Sequence, residues 1–201
     1  VLPLCLGEAT KVSQFLLDSD KRYQTKVKLG ERTDSGDSEG SVIESCAEFN
    51  VTRRDIEQAI ESFRGEILQL PPMHSALKVN GVPLYKMARK GIEVERQSRK
   101  VTVYEIEVLS FEDNIVELDI ACSKGTYIRT IADDLGQALA CGAHIVALRR
   151  TQAGAFTEAD CVDVGTLEEQ KEAGGLDLID ELLIPMDQAI TELPEVILPS
   201  D

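Results

Sequence analysis

A predicted strand leads directly into a predicted helix in residues 116–139, and this junction constrains the fold more than any other stretch. Apolar residues before the junction alternate with polar or small ones, the two-residue period of a strand with one buried face: Val116, Leu118, Ile120 and Cys122. Apolar residues after it recur at helical spacing: Ile128, Ile131, Ala132, Leu135 and Leu139. The sequence therefore predicts a strand, a turn at residues 123–125 and an amphipathic helix from about Thr126.

Two cations stand where this turn meets the helix, Lys124 in the turn and Arg129 in the first helical turn. Exposed amides and the positive end of the helix dipole favour an anion there. One interpretation pairs Arg129 with Asp133 four positions later, as in many weak surface pairs. An arginine is, however, disfavoured in a first turn, and an acid that follows it is the weaker orientation. The other interpretation is that an anion outside the helix holds Arg129.

The charge of the chain is distributed unevenly. The net charge of −15 by itself argues against a nucleic-acid partner. Residues 151–201, however, carry 13 acids against Lys171, which leaves only −3 on residues 1–150. Residues 78–100 carry a local charge of +5 from seven basic side chains against two acids: Lys78, Lys86, Arg89, Lys90, Arg96, Arg99 and Lys100. Such a run is either a solvated face or a surface that tracks phosphates.

The sequence predicts a cytoplasmic protein with no membrane partner. No apolar run approaches the ~20 residues that a membrane-spanning helix needs, and the first residues do not resemble a signal peptide. The five cysteines form no close pair, which is typical of reduced thiols rather than disulfides or a zinc site. We therefore expect no metal.

A second strand begins near Tyr23, where Tyr23, Thr25, Val27 and Leu29 alternate with polar or basic residues. A tyrosine at this position is typical of a core aromatic with its hydroxyl at the rim. Residues 30–40 follow and are dense in turn-forming residues, which predicts an exposed loop. A calcium site is not expected, because the loop lacks the glutamate that a calcium loop carries at its twelfth position.

The order of the predicted elements indicates the fold class. Strands at residues 101–109 and 115–122 are joined by a short connection, which implies antiparallel pairing, and a further strand is predicted at 143–150. Helices and strands are mixed without strict alternation. The prediction is an α+β fold in which helices flank a mixed, mostly antiparallel sheet.

Several short motifs follow one another along the chain. The opening run ends in Leu-Gly-Glu-Ala-Thr-Lys11, and further motifs follow in order: Asp18-Ser-Asp-Lys-Arg-Tyr23, Leu29-Gly-Glu-Arg-Thr-Asp34, Ser75-Ala-Leu-Lys78, Leu84-Tyr85, Gly91-Ile-Glu-Val94, Ser123-Lys-Gly-Thr-Tyr-Ile-Arg129 and Cys141-Gly-Ala-His144. In this order they resemble the bacterial TruB-type tRNA pseudouridine synthases, and the likeness covers nearly all of residues 1–190. Together these motifs are strongly specific.

The resemblance implies isomerisation of uridine-55 in the tRNA T-loop to pseudouridine, without cofactor or metal, by a protein expected to be a monomer. By matching motifs, Tyr23 corresponds to the tyrosine that stacks on the flipped base, and Arg129 to the arginine paired with the catalytic aspartate. Residues of about 72–100 correspond to a mobile insertion that clasps the RNA stem-loop. The side chains expected to bind RNA are Lys78, Lys86, Arg89, Lys90, Arg99 and Lys124.

The chain departs from the family pattern at the nucleophile. The catalytic aspartate of the family lies in a Gly-Thr-Leu-Asp-Pro-like motif expected just before Val1, and residues 1–201 do not contain it. Structural roles are expected for the acids that are present, Asp34, Asp37, Asp133 and Asp134, and packing or hydrogen-bonding roles for both histidines.

We therefore expect residues 1–190 to be a catalytic domain that lacks its nucleophile segment. Residues 191–201 are expected to form a linker toward an absent C-terminal RNA-binding domain. The alternatives are a truncated, non-catalytic module that binds or helps to fold tRNA, and an acidic interaction protein that does not touch RNA. The basic run disfavours the last of these.

Overall fold

The computed structural model describes residues 1–191, 193 and 194. Most of the linker predicted at residues 191–201 lies outside these described residues and stays a prediction. The chain divides into two compact units, Arg22–Arg149 and a second unit made of Val1–Lys21 with Arg150–Asp201.

Ten strands occur in the described part of the chain, and six of them form one sheet in the order β10-β9-β1-β8-β7-β4. The strands are β1 Lys21–Leu29, β2 Glu31–Thr33, β3 Val42–Ser45, β4 Gly65–Gln69, β5 Lys78–Val79, β6 Val82–Pro83, β7 Arg99–Glu112, β8 Ile115–Cys122, β9 Ala143–Ala153 and β10 Phe156–Thr157. The pairs β4–β7, β7–β8 and β9–β10 are antiparallel, and β2–β3 and β5–β6 form separate two-stranded ribbons. The predicted fold class is confirmed.

Six α-helices accompany these strands among the described residues: α1 Ser13–Asp18, α2 Arg53–Ile60, α3 Leu84–Ala88, α4 Ile128–Ala138, α5 Val164–Gly174 and α6 Leu176–Asp180. The longest helix of the larger unit is α4, the one predicted from the apolar spacing, although it begins at Ile128 rather than near Thr126. None of the helices in the described ranges is long and apolar enough to cross a membrane.

The core of the larger unit lies between the sheet and helices α2 and α4. The alternation predicted for β1 is confirmed, because Thr25, Val27 and Leu29 are all buried. Apolar side chains of β1, β8 and α4 form one continuous cluster. Helix α4 approaches the start of β9 so closely that a Cβ atom at Gly136 would lie 2.2 Å from the backbone nitrogen of Ala143. Only glycine fits here, and the position of α4 on the sheet is therefore tightly constrained.

Hydrogen bonds join the two chain segments that make up the smaller unit. The amino group of Val1 donates to the carbonyl of Arg150, and Arg150 Nε donates to the Val1 carbonyl at 2.7 Å. The backbone nitrogen of Gly154 donates to the Asp20 carbonyl at 2.9 Å. Helices α5 and α6 have no buried residues, which suits their acidic sequence.

The structure corrects the prediction that residues 30–40 form an exposed loop. Thr33 and Ser35 are buried at 5% and 8% exposure, and Asp37 is half-buried. The Thr33 hydroxyl donates to the Asp37 carbonyl at 2.7 Å, and the Ser35 hydroxyl donates to the Asp37 carboxylate at 2.5 Å. The Ile145 amide of β9 donates to the Gly36 carbonyl at 3.0 Å. Because the loop satisfies its polar groups internally and against β9, a polar sequence can be buried.

The basic segment predicted at about 72–100 contains the β5–β6 ribbon, α3 and an irregular stretch after Gly91. Leu84 is 1% exposed and anchors the first turn of α3. Arg99 lies outside the irregular stretch, because it begins β7 and pairs with Gln69 of the edge strand β4. The excursion from the sheet therefore ends just before Arg99, slightly earlier than predicted.

Candidate active site

Arg129 in the first turn of α4 is the centre of the candidate site. Its Nη1 atom donates to Asp37 Oδ2 at 2.9 Å and to the Ser35 carbonyl at 3.1 Å. Its Nη2 atom donates to the His74 carbonyl at 2.5 Å. The interpretation in which an anion outside the helix holds Arg129 is thus correct, although the anion present is Asp37.

The pairing of Arg129 with Asp133 is wrong. Asp133 instead forms an ion pair with Arg32 of β2, with 3.1 Å between Arg32 Nη2 and Asp133 Oδ2. Arg32 and Asp133 are 101 positions apart in the sequence, and Arg129 and Asp37 are 92 positions apart. Long-range packing, rather than helical spacing, selects both partners.

Asp37 is the site residue that the sequence did not predict. Gly36 has a φ of +77° and a Cβ atom there would lie 3.3 Å from Arg129 Cβ, so the glycine lets the loop reach the helix. Burial by itself raises the pKa of Asp37, but hydrogen bonds from Ser35 and Arg129 and the charge of Arg129 lower the pKa overall. In the sequence, the position of Arg129 at the positive end of its helix dipole was the one indication that a carboxylate from outside the helix binds it.

Gln69 fixes the start of α4. Tyr127 is the N-cap residue of α4, and its side chain forms no capping hydrogen bond. The Gln69 side chain, 2% exposed, takes the role of a cap: its Oε1 accepts from the Tyr127 amide at 2.7 Å, and its Nε2 donates to the Tyr127 carbonyl at 3.1 Å. An amide from edge strand β4 therefore holds the peptide two residues before Arg129.

Tyr23 lies on the same side of the sheet as α4. It is partly buried and packs against the cluster that contains Val27 of β1 and Ile128 and Ile131 of α4. This arrangement agrees with the expected core aromatic at the start of a strand. That Tyr23 and Arg129 line one cleft stays a prediction.

The residues predicted to bind RNA are all exposed: Lys78 on β5, Lys86 on α3, Arg89 and Lys90 just after it, Arg99 at the start of β7, and Lys124 in the turn before α4. The Arg89 guanidinium lies 5.6 Å from the centroid of the Tyr85 ring. The other two cations of the basic run differ, because Lys100 pairs with Glu66 at 2.7 Å and Arg96 is mostly buried.

Histidine and cysteine side chains are the other groups relevant to acid–base or metal chemistry. His144 is 4% exposed, and its Nδ1 lies 2.9 Å from the Glu31 carbonyl, as expected for a hydrogen-bonding histidine. All five cysteines are free thiols. No group of three or more His, Cys, Asp or Glu side chains in the described ranges could hold a metal ion.

Comparison with protein families identifies the chain. The family model described as "TruB family pseudouridylate synthase (N terminal domain)" matches residues 1–128, and "tRNA pseudouridylate synthase B C-terminal domain" matches residues 129–191. The chain belongs to the TruB family. The tRNA pseudouridine synthase B of Vibrio vulnificus (strain YJ016) is 55% identical over all of this chain, and that of Yersinia pestis (strain Pestoides F) is 53% identical. The chain spans 66% and 64% of the lengths of these relatives.

Two solved structures share the fold seen here. A chain of a Cbf5-Nop10-Gar1 complex superimposes with a TM-score of 0.73 at 32% identity, over 96% of this chain and 50% of that one. A chain of an H/ACA RNP bound to a substrate RNA containing 2′-deoxyuridine gives a TM-score of 0.66 at 28% identity, over 94% of this chain and 47% of that one.

The lowered pKa of Asp37 predicts a pH-dependent contribution to stability. A carboxyl whose pKa is lower in the folded state stabilises the fold above its unfolded pKa of about 3.9, and the contribution is lost as the pH falls through the folded value. We expect Asp37→Asn to lower the free energy of unfolding by about 1–3 kcal/mol at pH 7 and by less below about pH 4.

Urea unfolding of both proteins between pH 3 and pH 7 measures this difference. The Arg129→Met background is the control, because there the pH-dependent part of the Asp37→Asn effect should shrink. An equal pH dependence with and without Arg129 would show that Arg129 does not influence the Asp37 carboxylate.

The two hydrogen bonds from the Gln69 side chain to the Tyr127 peptide form a clamp on the start of α4. We expect Gln69→Met to loosen the start of this helix. Methionine keeps the volume but leaves the Tyr127 amide without a partner and removes one hydrogen bond to the Tyr127 carbonyl, which still accepts from Thr130 and Ile131. The expected cost is about 2–3 kcal/mol of unfolding free energy. Hydrogen exchange at the Tyr127 amide should accelerate accordingly. The matched control is Gln152→Met on β9, where one bond to the Gly154 carbonyl is lost and the cost should stay near 1 kcal/mol. Equal costs for the two variants would rule out the clamp.

Proposed function

We propose that the full-length protein isomerises uridine-55 in the T-loop of tRNA to pseudouridine. Membership of the TruB family supports the reaction class, and the relatives that match the whole chain are named tRNA pseudouridine synthase B. The observation that carries the proposal is the guanidinium of Arg129, held at the start of α4 where the family motif Ser123-Lys-Gly-Thr-Tyr-Ile-Arg129 ends. The choice of uridine-55 rests on the sequence resemblance.

The roles proposed for the site residues follow from their chemistry. A target base must leave its stack to reach an active site, and an aromatic side chain can receive it by stacking. Tyr23 is proposed to be this platform. Arg129 is proposed to pair with the catalytic aspartate of the Gly-Thr-Leu-Asp-Pro-like motif, which is not among residues 1–201, and to keep it ionised for attack.

Asp37 holds the arginine ready for this role. A guanidinium has five donors in a rigid plane, and three acceptors on two loop segments already fix the plane of Arg129. Such fixed geometry is what electrostatic catalysis requires, because little reorganisation is then needed during the reaction. Asp37 is proposed to be a positioning residue, whereas the aspartate of the missing motif is proposed to attack.

The RNA is proposed to lie along the exposed cations of the basic segment and of the turn before α4. Lys78, Lys86, Arg89, Lys90, Arg99 and Lys124 present their charges to solvent. Phosphates supply most of the affinity in such interfaces. The protein is proposed to act as a cytoplasmic monomer without a cofactor or a metal.

A second candidate is a tRNA-binding or tRNA-folding module without catalysis. It is favoured by one observation, that Arg129 already forms an ion pair with the loop residue Asp37, a contact that holds the site together without a nucleophile. Pseudouridine formation by the full-length protein separates the two candidates.

We expect Arg129→Ala in the full-length protein to lower single-turnover pseudouridine formation about 100-fold or more. A buried carboxylate loses its partner, and a loss near 3 kcal/mol corresponds to this factor. Tyr23→Ala should weaken RNA binding about five- to tenfold or more, whereas Tyr23→Phe keeps the stacking face and should cost less. Release of tritium from RNA labelled at uridine C5 measures the reaction.

The control variant is Arg53→Ala, which removes an exposed arginine of α2 paired with Glu57 and should leave the rate unchanged. The isolated 201-residue chain should form no pseudouridine. Turnover by this chain would contradict the assignment of the nucleophile to the missing motif.

The basic segment predicts a salt-dependent contribution to binding. Replacing Lys86, Arg89 or Lys90 singly by alanine should lower the slope of log K against log salt by about one unit, because each is expected to neutralise one phosphate. Sequence preference should change little. Lys100→Ala is the matched control, because Lys100 already pairs with Glu66. An unchanged slope for all three variants would remove the segment from the RNA interface.

A further inference from the structure

Two thiols of the larger unit, Cys46 and Cys141, are both held against Gly30. The Cys46 amide donates to the Gly30 carbonyl at 2.8 Å, and the Gly30 amide donates to the Gly142 carbonyl at 2.9 Å. The Gly30 amide also forms a hydrogen bond to the Cys141 sulfur. A single residue therefore joins the loop after β3, which contains Cys46, to the turn after α4, which contains Cys141.

This close approach depends on the glycine at position 30. Gly30 has a φ of +92°, and a Cβ atom there would lie 2.7 Å from Phe49 Cε1 and 3.2 Å from the Cys46 carbonyl oxygen. Cys141 is 3% exposed and belongs to the apolar core cluster, and Cys46 packs against the same cluster. The loop after β3 thus lies on the backbone that binds Cys141, with both thiols in one apolar neighbourhood.

The environment of Cys141 keeps its thiol protonated and away from solutes. Burial raises the pKa of Cys141, the hydrogen bond from the Gly30 amide lowers it, and the nearby Cys46 thiol raises it again, so that the pKa lies above its ordinary value. Buried cysteines of this kind react poorly with molecules in solution. Cys141 therefore needs a partner inside the protein in order to react.

Cys46 is more open to solvent than Cys141. It is partly exposed, and its sulfur donates to the Glu48 carbonyl at 3.4 Å, a weak bond that rotation of the side chain breaks. The residues after it line an open depression of about 530 Å³ together with one residue of the β7–β8 turn: Ala47, Glu48, Phe49, Asn50 and Asn114. A small oxidant from solution therefore meets Cys46 first.

We propose that Cys46 and Cys141 are a redox modification site, at which a hydroperoxide converts two neighbouring thiols into a disulfide. The Cys46 thiolate attacks the peroxide, the O–O bond breaks, and Cys46 becomes a sulfenic acid while water or an alcohol leaves. The Cys141 sulfur then attacks the Cys46 sulfur. The S–S bond forms, the S–O bond breaks, and hydroxide leaves with the Cys141 proton as water.

The electrons of this reaction balance, because the two thiols lose two electrons and two protons and the hydroperoxide accepts them. In a reducing compartment such a disulfide is transient, and thiol reductants restore both cysteines. The cross-link joins the loop after β3 to the end of α4, the helix that carries Arg129 in its first turn. The oxidation state of the pair is therefore sensed by the element that holds the candidate site.

The test is peptide mapping of the full-length protein after treatment with hydrogen peroxide and alkylation of the remaining thiols. Trypsin places the three cysteines of the larger unit on separate peptides, Cys46 on 33–53, Cys122 on 101–124 and Cys141 on 130–149. We expect peptides 33–53 and 130–149 to appear linked, with the loss of two hydrogen atoms. Dithiothreitol should separate them again.

The matched control is Cys161→Ser, which removes an exposed thiol of the smaller unit and should leave the linked peptide unchanged. Cys46→Ser should abolish the linked peptide and leave Cys141 unmodified by peroxide. Cys141→Ser should also abolish it, but Cys46 should then accumulate as a sulfenic acid that dimedone traps. If Cys141→Ser does not fold, the time course of the unchanged protein decides, because the dimedone adduct of Cys46 should form before the disulfide.

Three outcomes would overturn the proposal. The first is oxidation of Cys161, or of Cys46 to its sulfinic acid, without the linked peptide. The second is a linked peptide that forms only after unfolding in urea. The third is a yield of linked peptide that falls on dilution of the protein, since this would show pairing between molecules rather than within one.

Discussion

The guanidinium of Arg129 joins three parts of the larger unit that are distant in sequence. It lies at the start of α4 and donates hydrogen bonds to Asp37, to the Ser35 carbonyl and to the His74 carbonyl. A planar group with several donors can satisfy such acceptors together, which lysine cannot do with the same geometry. The loop after β1 and the entry to the basic segment are thus both fixed to one side chain.

The remainder of the fold keeps this side chain in place. Gln69 on the edge strand β4 holds the Tyr127 peptide, and Gly136 lets the other end of α4 approach β9. The first and the last turn of the helix are therefore both held by contacts with the sheet. A site built on such rigid elements holds its charges in a defined geometry, as electrostatic catalysis requires.

The distribution of charge gives an acidic protein a locally basic surface. Thirteen acids lie in residues 151–201, whereas the exposed cations of residues 78–100 lie in the larger unit. Charges on a protein surface are screened beyond about 8–10 Å at ordinary ionic strength. The local field over the basic segment therefore matters more to a phosphate than the net charge does. The cations of that run differ in exposure. The Arg96 side chain is mostly buried and pairs with Glu93 inside the segment, whereas Lys86, Arg89 and Lys90 face solvent.

The sequence by itself determined β8, α4, the buried face of β1, the α+β class and the family resemblance, because residue periodicity and contiguous motifs are local properties. Only the tertiary structure decided which carboxylate Arg129 takes. Asp133 was within helical reach, but Asp37, 92 positions away, is the partner, because the folded loop buries its own polar groups and reaches α4 through Gly36. The Gln69 clamp and the place of Arg99 in β7 were likewise settled by strand pairing across the chain. Long-range packing selects such partners, and no local pattern encodes it.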